Sequence, residues 1–148
     1  MSRRFCGVAA ALIVATVSLP ANSAAAWPPW VTLSSGGGGV PIPTRPYGLL
    51  ITRYADLQRF PPLALHPGGG DPFASLDFQA NVVLVVVMGA SELIEVKRVV
   101  RSGGVLQVGA GASGVITFGP GFAAWQAVSV PRRLLGQPLP RRIVFPWN

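Results

Sequence analysis

One run of the chain, residues 82–88, contains only Val, Leu and Met. Because β-branched residues favour extended backbone and the run has no polar face, it predicts a β-strand rather than a helix. A strand that is apolar on both faces is typical of the centre of a sheet or sandwich. Gly89 is predicted to end this strand. We therefore expect the core of the protein to form around residues 82–88.

A second pattern follows at residues 93–101, where apolar and charged side chains alternate. A period of two predicts a strand with one face in the core and one face in solvent. The alternation slips at Arg98 and Val99, which indicates a β-bulge. Residues 102–104 (Ser-Gly-Gly) predict a hairpin turn, and residues 105–108 predict the returning strand.

Shorter apolar stretches, each bounded by Pro or Gly, predict the remaining elements. Gly and Pro together account for 33 of the 148 residues (18 and 15), which disfavours long helices. The predicted fold class is mainly β (α+β): a small antiparallel sheet or sandwich of five to seven strands with one short helix. The predicted strands are residues 49–52, 81–88, 93–101, 105–108, 115–118, 125–130 and 143–145, and the predicted helix is residues 54–60, before Pro61.

Residues 1–26 have the order of a secretory signal peptide: basic, then apolar, then small. Two arginines precede an uncharged apolar run at residues 7–19, and cleavage is predicted between Ser23 and Trp27. The apolar run is shorter than the ~20 residues that span a bilayer. We therefore expect an exported protein, periplasmic or secreted. An uncleaved membrane anchor and the twin-arginine export route are the alternatives.

Cys6 is the only cysteine, and it lies inside the predicted signal peptide. A lipid-anchor cysteine would follow the apolar run, so Cys6 is predicted to be removed with the signal. The exported domain then has neither a disulfide nor a thiolate metal ligand. It must be held together by burial of apolar surface, for which about 120 residues suffice.

Residues 27–46 are rich in Pro and Gly and include four successive glycines. Such a composition is typical of an extended or flexible linker, which places the β-rich globular domain at residues 47–148. A flexible linker does not require bulky aromatic side chains such as those of Trp27 and Trp30. We expect them to pack against the domain or to contact a partner.

Basic residues are concentrated towards the C-terminus. Residues 27–95 carry three arginines and five carboxylates, whereas residues 96–148 carry seven basic residues and no acid. A surface of one sign attracts anions, although an ordinary solvated rim is the competing interpretation. Nucleic acid is not an expected partner, because the protein is exported and the basic residues lack interleaved aromatics. The candidate anion or partner surface comprises Arg132, Arg133, Arg141 and Arg142.

Residues 109–114 contain the spaced glycines of a dinucleotide-binding loop. That chemistry needs a following helix, whose N-terminus holds the pyrophosphate. Residues 115–120 predict strand and turn instead, and no acid follows Glu95 to bind the ribose. We therefore expect no nucleotide and no other cofactor.

His66 is the only histidine; it is predicted to lie in a loop, with Asp71 and Asp77 near it in sequence. A catalytic triad or a metal site would need such groups clustered in space. Glu92 and Glu95 are three residues apart on one predicted strand, so their side chains are expected on opposite faces of the sheet. They are therefore not expected to act as a paired acid and base. We expect a protein without catalytic residues or bound metal, with a hydrolase built on His66 as an alternative.

The order of the predicted elements resembles that of the PrcB-like C-terminal domain, a small exported bacterial β-rich family named for a protein associated with a protease complex. The matching segments lie between residues 49 and 132 and are residues 77–78, 82–89, 94–108 and 128–132. Members often carry Thr-Gly-Gly-Tyr after the long strand, where this chain has residues 89–93. The resemblance implies a non-enzymatic binding or accessory role and no catalytic residues.

The function that these observations favour is a non-catalytic exported domain that binds or stabilises another envelope or secreted protein. The main alternative is a module that binds anionic lipid or polysaccharide of the envelope through the C-terminal arginines. Contact with a membrane is expected only transiently, during export.

Overall fold

The computed structural model describes residues 29–64 and 70–146, with backbone only at residues 115–120. The predicted signal peptide and His66 lie outside the described residues. No helix in the described part of the chain is long and apolar enough to cross a membrane. The strands are β1 (Val31–Gly37), β2 (Tyr47–Ile51), β3 (Asn81–Ser102), β4 (Val105–Pro131) and β5 (Arg142–Val144); the helices are a 3₁₀ helix (Tyr54–Arg59), α1 (Pro61–Ala64) and α2 (Arg132–Leu135).

The strands form one sheet in the order β1–β4–β3–β2, with β5 added to another part of β4. This confirms the predicted mainly β fold class. The ladders β1–β4, β2–β3 and β3–β4 are antiparallel, whereas β5 runs parallel to β4. The sheet is mixed because residues 132–141 carry the chain back to the start of β4 before β5 begins.

β3 and β4 form one long hairpin, with 22 and 27 residues in the two strands. Gly89 does not end β3, and residues 109–122 are part of β4 rather than a connection, so the prediction of separate strands is wrong here. A glycine stays in a strand where the ladder bends sharply. Three register shifts between Ala90 and Arg98 accompany the bend, and the last coincides with the predicted bulge.

The hairpin has two halves. The proximal half pairs Asn81–Ala90 with Phe122–Pro131, and the distal half pairs Ile94–Ser102 with Val105–Ala112. β1 and β2 flank the proximal half, whereas β5 pairs with the distal half. The predicted turn at residues 102–104 closes the distal half and is confirmed.

The run from Val82 to Val87 is buried on both faces, as predicted, and each of its side chains is 0% exposed. Successive side chains of a strand point to opposite faces, so the run supplies two cores. The first core is covered by the short helices and the loop after them. The second is covered by the distal half, which folds back over the proximal half. The first contains Val83, Val85, Val87, Leu57, Phe60, Leu63 and Phe73, and the second contains Val82, Leu84, Val86, Ile94, Val96, Leu106, Val108 and Leu135.

Residues 31–37 of the predicted linker form β1, so the linker prediction is wrong there. The glycines that indicated flexibility serve close packing instead. A Cβ on Gly36 would lie 2.8 Å from Cζ2 of Trp125, closer than atoms pack. Gly38 and Gly39 have φ values of 80° and 78°, which only glycine adopts without strain. β1 is therefore part of the folded sheet.

The predicted short helix is present as the 3₁₀ helix Tyr54–Arg59. Pro61 does not stop the helical path but begins α1, because the first turn of a helix needs no partner for its N–H groups. The edge strand predicted at residues 143–145 is also present, as β5.

Candidate functional site

β1 lies at the edge of the sheet, and its outer edge is the candidate functional surface. β1 pairs with β4 on one side, and no other strand of the described residues pairs with its second side. An unpaired edge presents N–H and C=O groups that another strand can use. Two cavities lie beside the C-terminal half of β1, and Ser35 lines both of them.

The first cavity, which we call the Trp125 cleft, has a volume of about 350 Å³. Its most buried side chain is Trp125, which is 7% exposed and packs edge-on against Phe60 with ring centroids 5.6 Å apart. Within the described part of the chain, no hydrogen bond uses the indole N–H or the hydroxyls of Ser34 and Ser35. The cleft is lined by residues 34–39, Pro61, Pro62 and Trp125.

The second cavity, which we call the Glu95 cavity, has a volume of about 270 Å³. Glu95 is exposed, and no ion pair among residues 29–64 and 70–146 includes its carboxylate. Gln126 is buried at the same cavity, with 6% of its surface exposed. The cavity is lined by Ser35, Leu93, Ile94, Glu95, Ser113 and Gln126.

At its N-terminal end, β1 is tied to the distal half by side-chain hydrogen bonds. The Val96 N–H donates to Gln126 Oε1 at 2.6 Å, and the Gln126 amide donates to Thr32 Oγ1 at 3.2 Å. The Trp30 indole N–H donates to the Val96 carbonyl at 3.3 Å, so Trp30 packs on the domain. β1 is therefore closed against the distal half near Thr32 and open near Ser35.

The arginines of the predicted anion surface lie in different surroundings. Arg132 is engaged by the fold: its Nε donates to the Phe78 carbonyl at 2.9 Å, and its Nη2 donates to the Thr52 carbonyl at 3.2 Å. Arg132 and the exposed Arg133 line one cavity of about 540 Å³. Of this pair, Arg133 is the residue whose guanidinium faces solvent.

Arg141 lines a different cavity, of about 290 Å³, together with Arg59 and part of β2. Both arginines are exposed, and no ion pair of the described residues includes either of them. Arg142 lies in β5, opposite Val105 in the parallel ladder. The sequence does not single out Arg59, because it belongs to the part of the domain in which acids outnumber bases.

The carboxylates of the hydrolase alternative, Asp71 and Asp77, accept hydrogen bonds from neighbouring parts of the fold. Asp71 accepts hydrogen bonds from the Tyr54 hydroxyl and, at 2.8 Å, from the Phe73 N–H. The hydrogen bond to Asp71 raises the pKa of the Tyr54 hydroxyl. Asp77 accepts backbone N–H groups of the turn that follows it, the nearer at 2.8 Å. His66 itself lies outside the described residues.

Residues 109–114 lie inside β4, which continues to Pro131. The helix N-terminus that a dinucleotide loop needs is therefore not formed after these glycines. The Glu92 carboxylate accepts the Gly114 N–H at 3.1 Å and so holds the two strands of the hairpin together. Across the described residues, no three His, Cys, Asp or Glu side chains are grouped so as to hold a metal ion.

Ser34, Ser35 and Trp125 are not site residues that the sequence singles out. The serines lie in the Pro/Gly-rich stretch, and the tryptophan lies in an ordinary strand pattern. The one available signal is the glycine run itself, because successive glycines also permit backbone to lie flat on an aromatic ring. Which ring the glycines would cover depends on the pairing of β1 with β4.

No protein-family model matches the chain, no curated protein matches it in sequence, and no solved structure matches its fold. The resemblance to the PrcB-like C-terminal domain therefore stays a prediction. The function has to be inferred from the geometry of the chain itself.

Proposed function

We propose that this protein is a non-catalytic exported domain that binds another envelope or secreted protein, and that it does so by adding an extended segment of the partner to the outer edge of β1. The observation that carries the proposal is the outer edge of β1, which pairs with no strand among residues 29–64 and 70–146 and has a cavity on either side of it. The basic, apolar and small order of residues 1–26 supports export.

Strand addition suits the C-terminal half of β1 for a physical reason. Main-chain hydrogen bonds provide affinity in this binding mode, and pockets beside the edge select side chains. Gly36 and Gly37 carry no side chains that would keep another backbone away. The opposite end of β1 is already closed by Gln126 and Trp30. The partner segment is therefore expected at Ser34–Gly37.

A non-catalytic role is supported by the surroundings of the acids. Asp71 and Asp77 accept hydrogen bonds from their own loops, and Glu92 accepts one from Gly114. These carboxylates stabilise the fold, because each already accepts a hydrogen bond from a backbone N–H group. The predicted resemblance to the PrcB-like family implies the same class of role.

The test begins with a photo-crosslinking amino acid at Ser35 in the expressed protein, with the same amino acid at the exposed Gln58 as control. One envelope protein should be trapped from Ser35 and not from Gln58. Hydrogen exchange of the purified complex should then show new protection in β1 but none in β2, which is the other edge strand of the main sheet. Protection in β2, or in neither strand, would contradict the proposal.

A second candidate function is binding of anionic envelope material, favoured by the two exposed guanidiniums of Arg59 and Arg141 at one cavity. Two such groups bind phosphate or carboxylate in a salt-dependent manner. Sedimentation with phosphatidylglycerol vesicles should weaken when both are changed to Gln and should weaken less for Arg45→Gln combined with Lys97→Gln, which removes two exposed basic residues elsewhere. Equal weakening by both variants would reduce this function to net charge.

A further inference from the structure

We infer that the segment bound at β1 has a cationic, alternating character: a small apolar residue enters the Trp125 cleft, and the neighbouring Lys or Arg faces Glu95. This inference rests on the proposed function, since it requires strand addition at β1. It adds the chemical class of the partner, which the fold and the net charge leave open.

The alternation follows from the positions of the two cavities. Trp125 and Gln126 are successive residues of β4, so their side chains point to opposite faces of the sheet. Trp125 lines the cleft and Gln126 lines the Glu95 cavity. Ser35 is opposite Gln126 in the ladder. A strand paired with the outer edge of β1 alternates in the same way, at about 3.3 Å per residue, so its consecutive side chains meet different cavities.

The Trp125 cleft selects a small apolar residue. Pro61, Pro62 and the glycine backbone provide apolar walls, and the cleft lies over a largely buried ring. Its polar side-chain groups include the indole N–H and the hydroxyl of Ser34, which make no hydrogen bond within the described residues. An indole N–H is a donor only, so its complement is an acceptor such as a main-chain carbonyl.

The Glu95 cavity selects a cation. Among its lining residues the one charge is the Glu95 carboxylate, with Leu93 and Ile94 providing apolar surface beside it. The Lys97 ammonium lies near Gly111, which is opposite Glu95 in the ladder, without forming a salt bridge to the carboxylate. A Lys or Arg side chain packs its aliphatic stem on such a surface and places its charged head at the carboxylate. Because Glu95 has no ion-pair partner among the described residues, this contact replaces no existing one.

The net charge of the chain and the carboxylate at β1 predict opposite ligand preferences. The whole chain has a formal net charge of +7, and long-range attraction alone favours an acidic ligand. The cavity at β1 instead presents a carboxylate to whatever lies beside it. Ligand preference therefore shows whether short-range geometry or net charge governs binding.

The experiment uses the purified full chain and three synthetic peptides. Each peptide has a central segment in which Val alternates with one test residue, which is Lys, Ser or Glu. Binding is measured by fluorescence polarisation of a label on the peptide, and the location is read from hydrogen exchange of β1. We expect the Ser peptide to bind and to protect β1, and the Lys peptide to bind about twofold to fivefold more tightly, as one exposed ion pair allows.

Two variants assign the preference to one carboxylate. Glu95→Gln should abolish the advantage of the Lys peptide over the Ser peptide. Glu92→Gln is the matched control, since Glu92 lies on the same strand but bonds Gly114 and does not line the cavity. This variant should keep the advantage. The advantage should also shrink at high salt, because the pair is exposed.

The possible failures are distinguishable. Equal binding of all three peptides at β1, or tightest binding of the Glu peptide there, overturns the alternating cationic character and leaves strand addition at β1 standing. An advantage of the Lys peptide that survives Glu95→Gln likewise overturns the role of Glu95. If no peptide binds, or if protection appears away from β1, both the inference and the proposed function fail.

Discussion

The proximal and distal halves of the β3–β4 hairpin differ, although the same two strands form both. In the proximal half, every side chain of β3 from Val82 to Val87 is fully buried. In the distal half, only alternate side chains are buried: Ile94 and Val96 are 2% and 3% exposed, whereas Glu95 lies in solvent. One pair of strands thus contains both a fully buried ladder and a half-buried one.

The difference comes from the number of layers that cover each half. The proximal half is a middle layer, with the short helices on one face and the distal half on the other. The distal half is an outer layer, since it covers the proximal half and has solvent on its far side. An unbroken apolar run therefore marks a middle layer, and an alternating one marks an outer layer.

The largest expected effect is that of a charge in the middle layer. Val85→Asp buries an unpaired carboxylate and should lower the free energy of unfolding by about 4 kcal/mol or more. Val100→Asp is the control in the distal half, where Val100 is 37% exposed, and should change stability little. Urea unfolding followed by circular dichroism measures both. A nearly unchanged urea midpoint for Val85→Asp would contradict the placement of Val85 in the buried middle layer.

The next effect concerns the hydrogen bonds that hold the distal half to β1. Gln126→Ala leaves the Val96 N–H without its acceptor and should cost about 2 kcal/mol. Gln107→Ala is the control, because Gln107 has no side-chain hydrogen bond within the described residues. Hydrogen exchange should show faster exchange in the distal half and little change in the proximal half. Uniform loss of protection would mean that the two halves are one cooperative unit.

A smaller effect is expected where β1 covers the proximal half. Gly36→Ala places a Cβ 2.8 Å from a ring carbon of Trp125, and the displacement of the ring should cost about 1.5 kcal/mol. Gly104→Ala, in the turn of the distal half, meets nothing within 4 Å and should be neutral. Thermal unfolding of the two variants tests this. Equal melting temperatures would show that the glycine contact with Trp125 is not required.

The smallest effect is expected at the end of the distal half. Arg101 donates from Nε to the Gly103 carbonyl at 2.7 Å and from Nη1 to the Leu135 carbonyl. Arg101→Lys keeps the charge but not the planar fork, and should cost about 1 kcal/mol. Arg133→Lys, at an exposed residue, should cost nothing measurable. If Arg101→Lys also leaves the exchange of α2 unchanged, the bond to Leu135 has no role in joining the distal half to α2.

The sequence predicts elements well where the pattern is local. The run at residues 82–88, the turn at residues 102–104 and the short helix after β2 each follow from neighbouring residues. The predictions fail at glycines. Gly89 is taken as a strand end, and the glycines near Gly36 are taken as a linker, although both lie in strands. A glycine has the same appearance in a sequence whether it frees the backbone or lets another group approach it.

What the sequence by itself determined is the mainly β character, the two burial patterns of the hairpin and the excess of basic residues in its C-terminal part. Only the tertiary structure decided that the hairpin folds back on itself, that no strand of the described residues covers the outer edge of β1, and that Ser35 comes to lie between Trp125 and Glu95. These relations join segments far apart in the chain. They depend on strand register and on the bend of a long ladder, and neither the period of the apolar residues nor the composition encodes either.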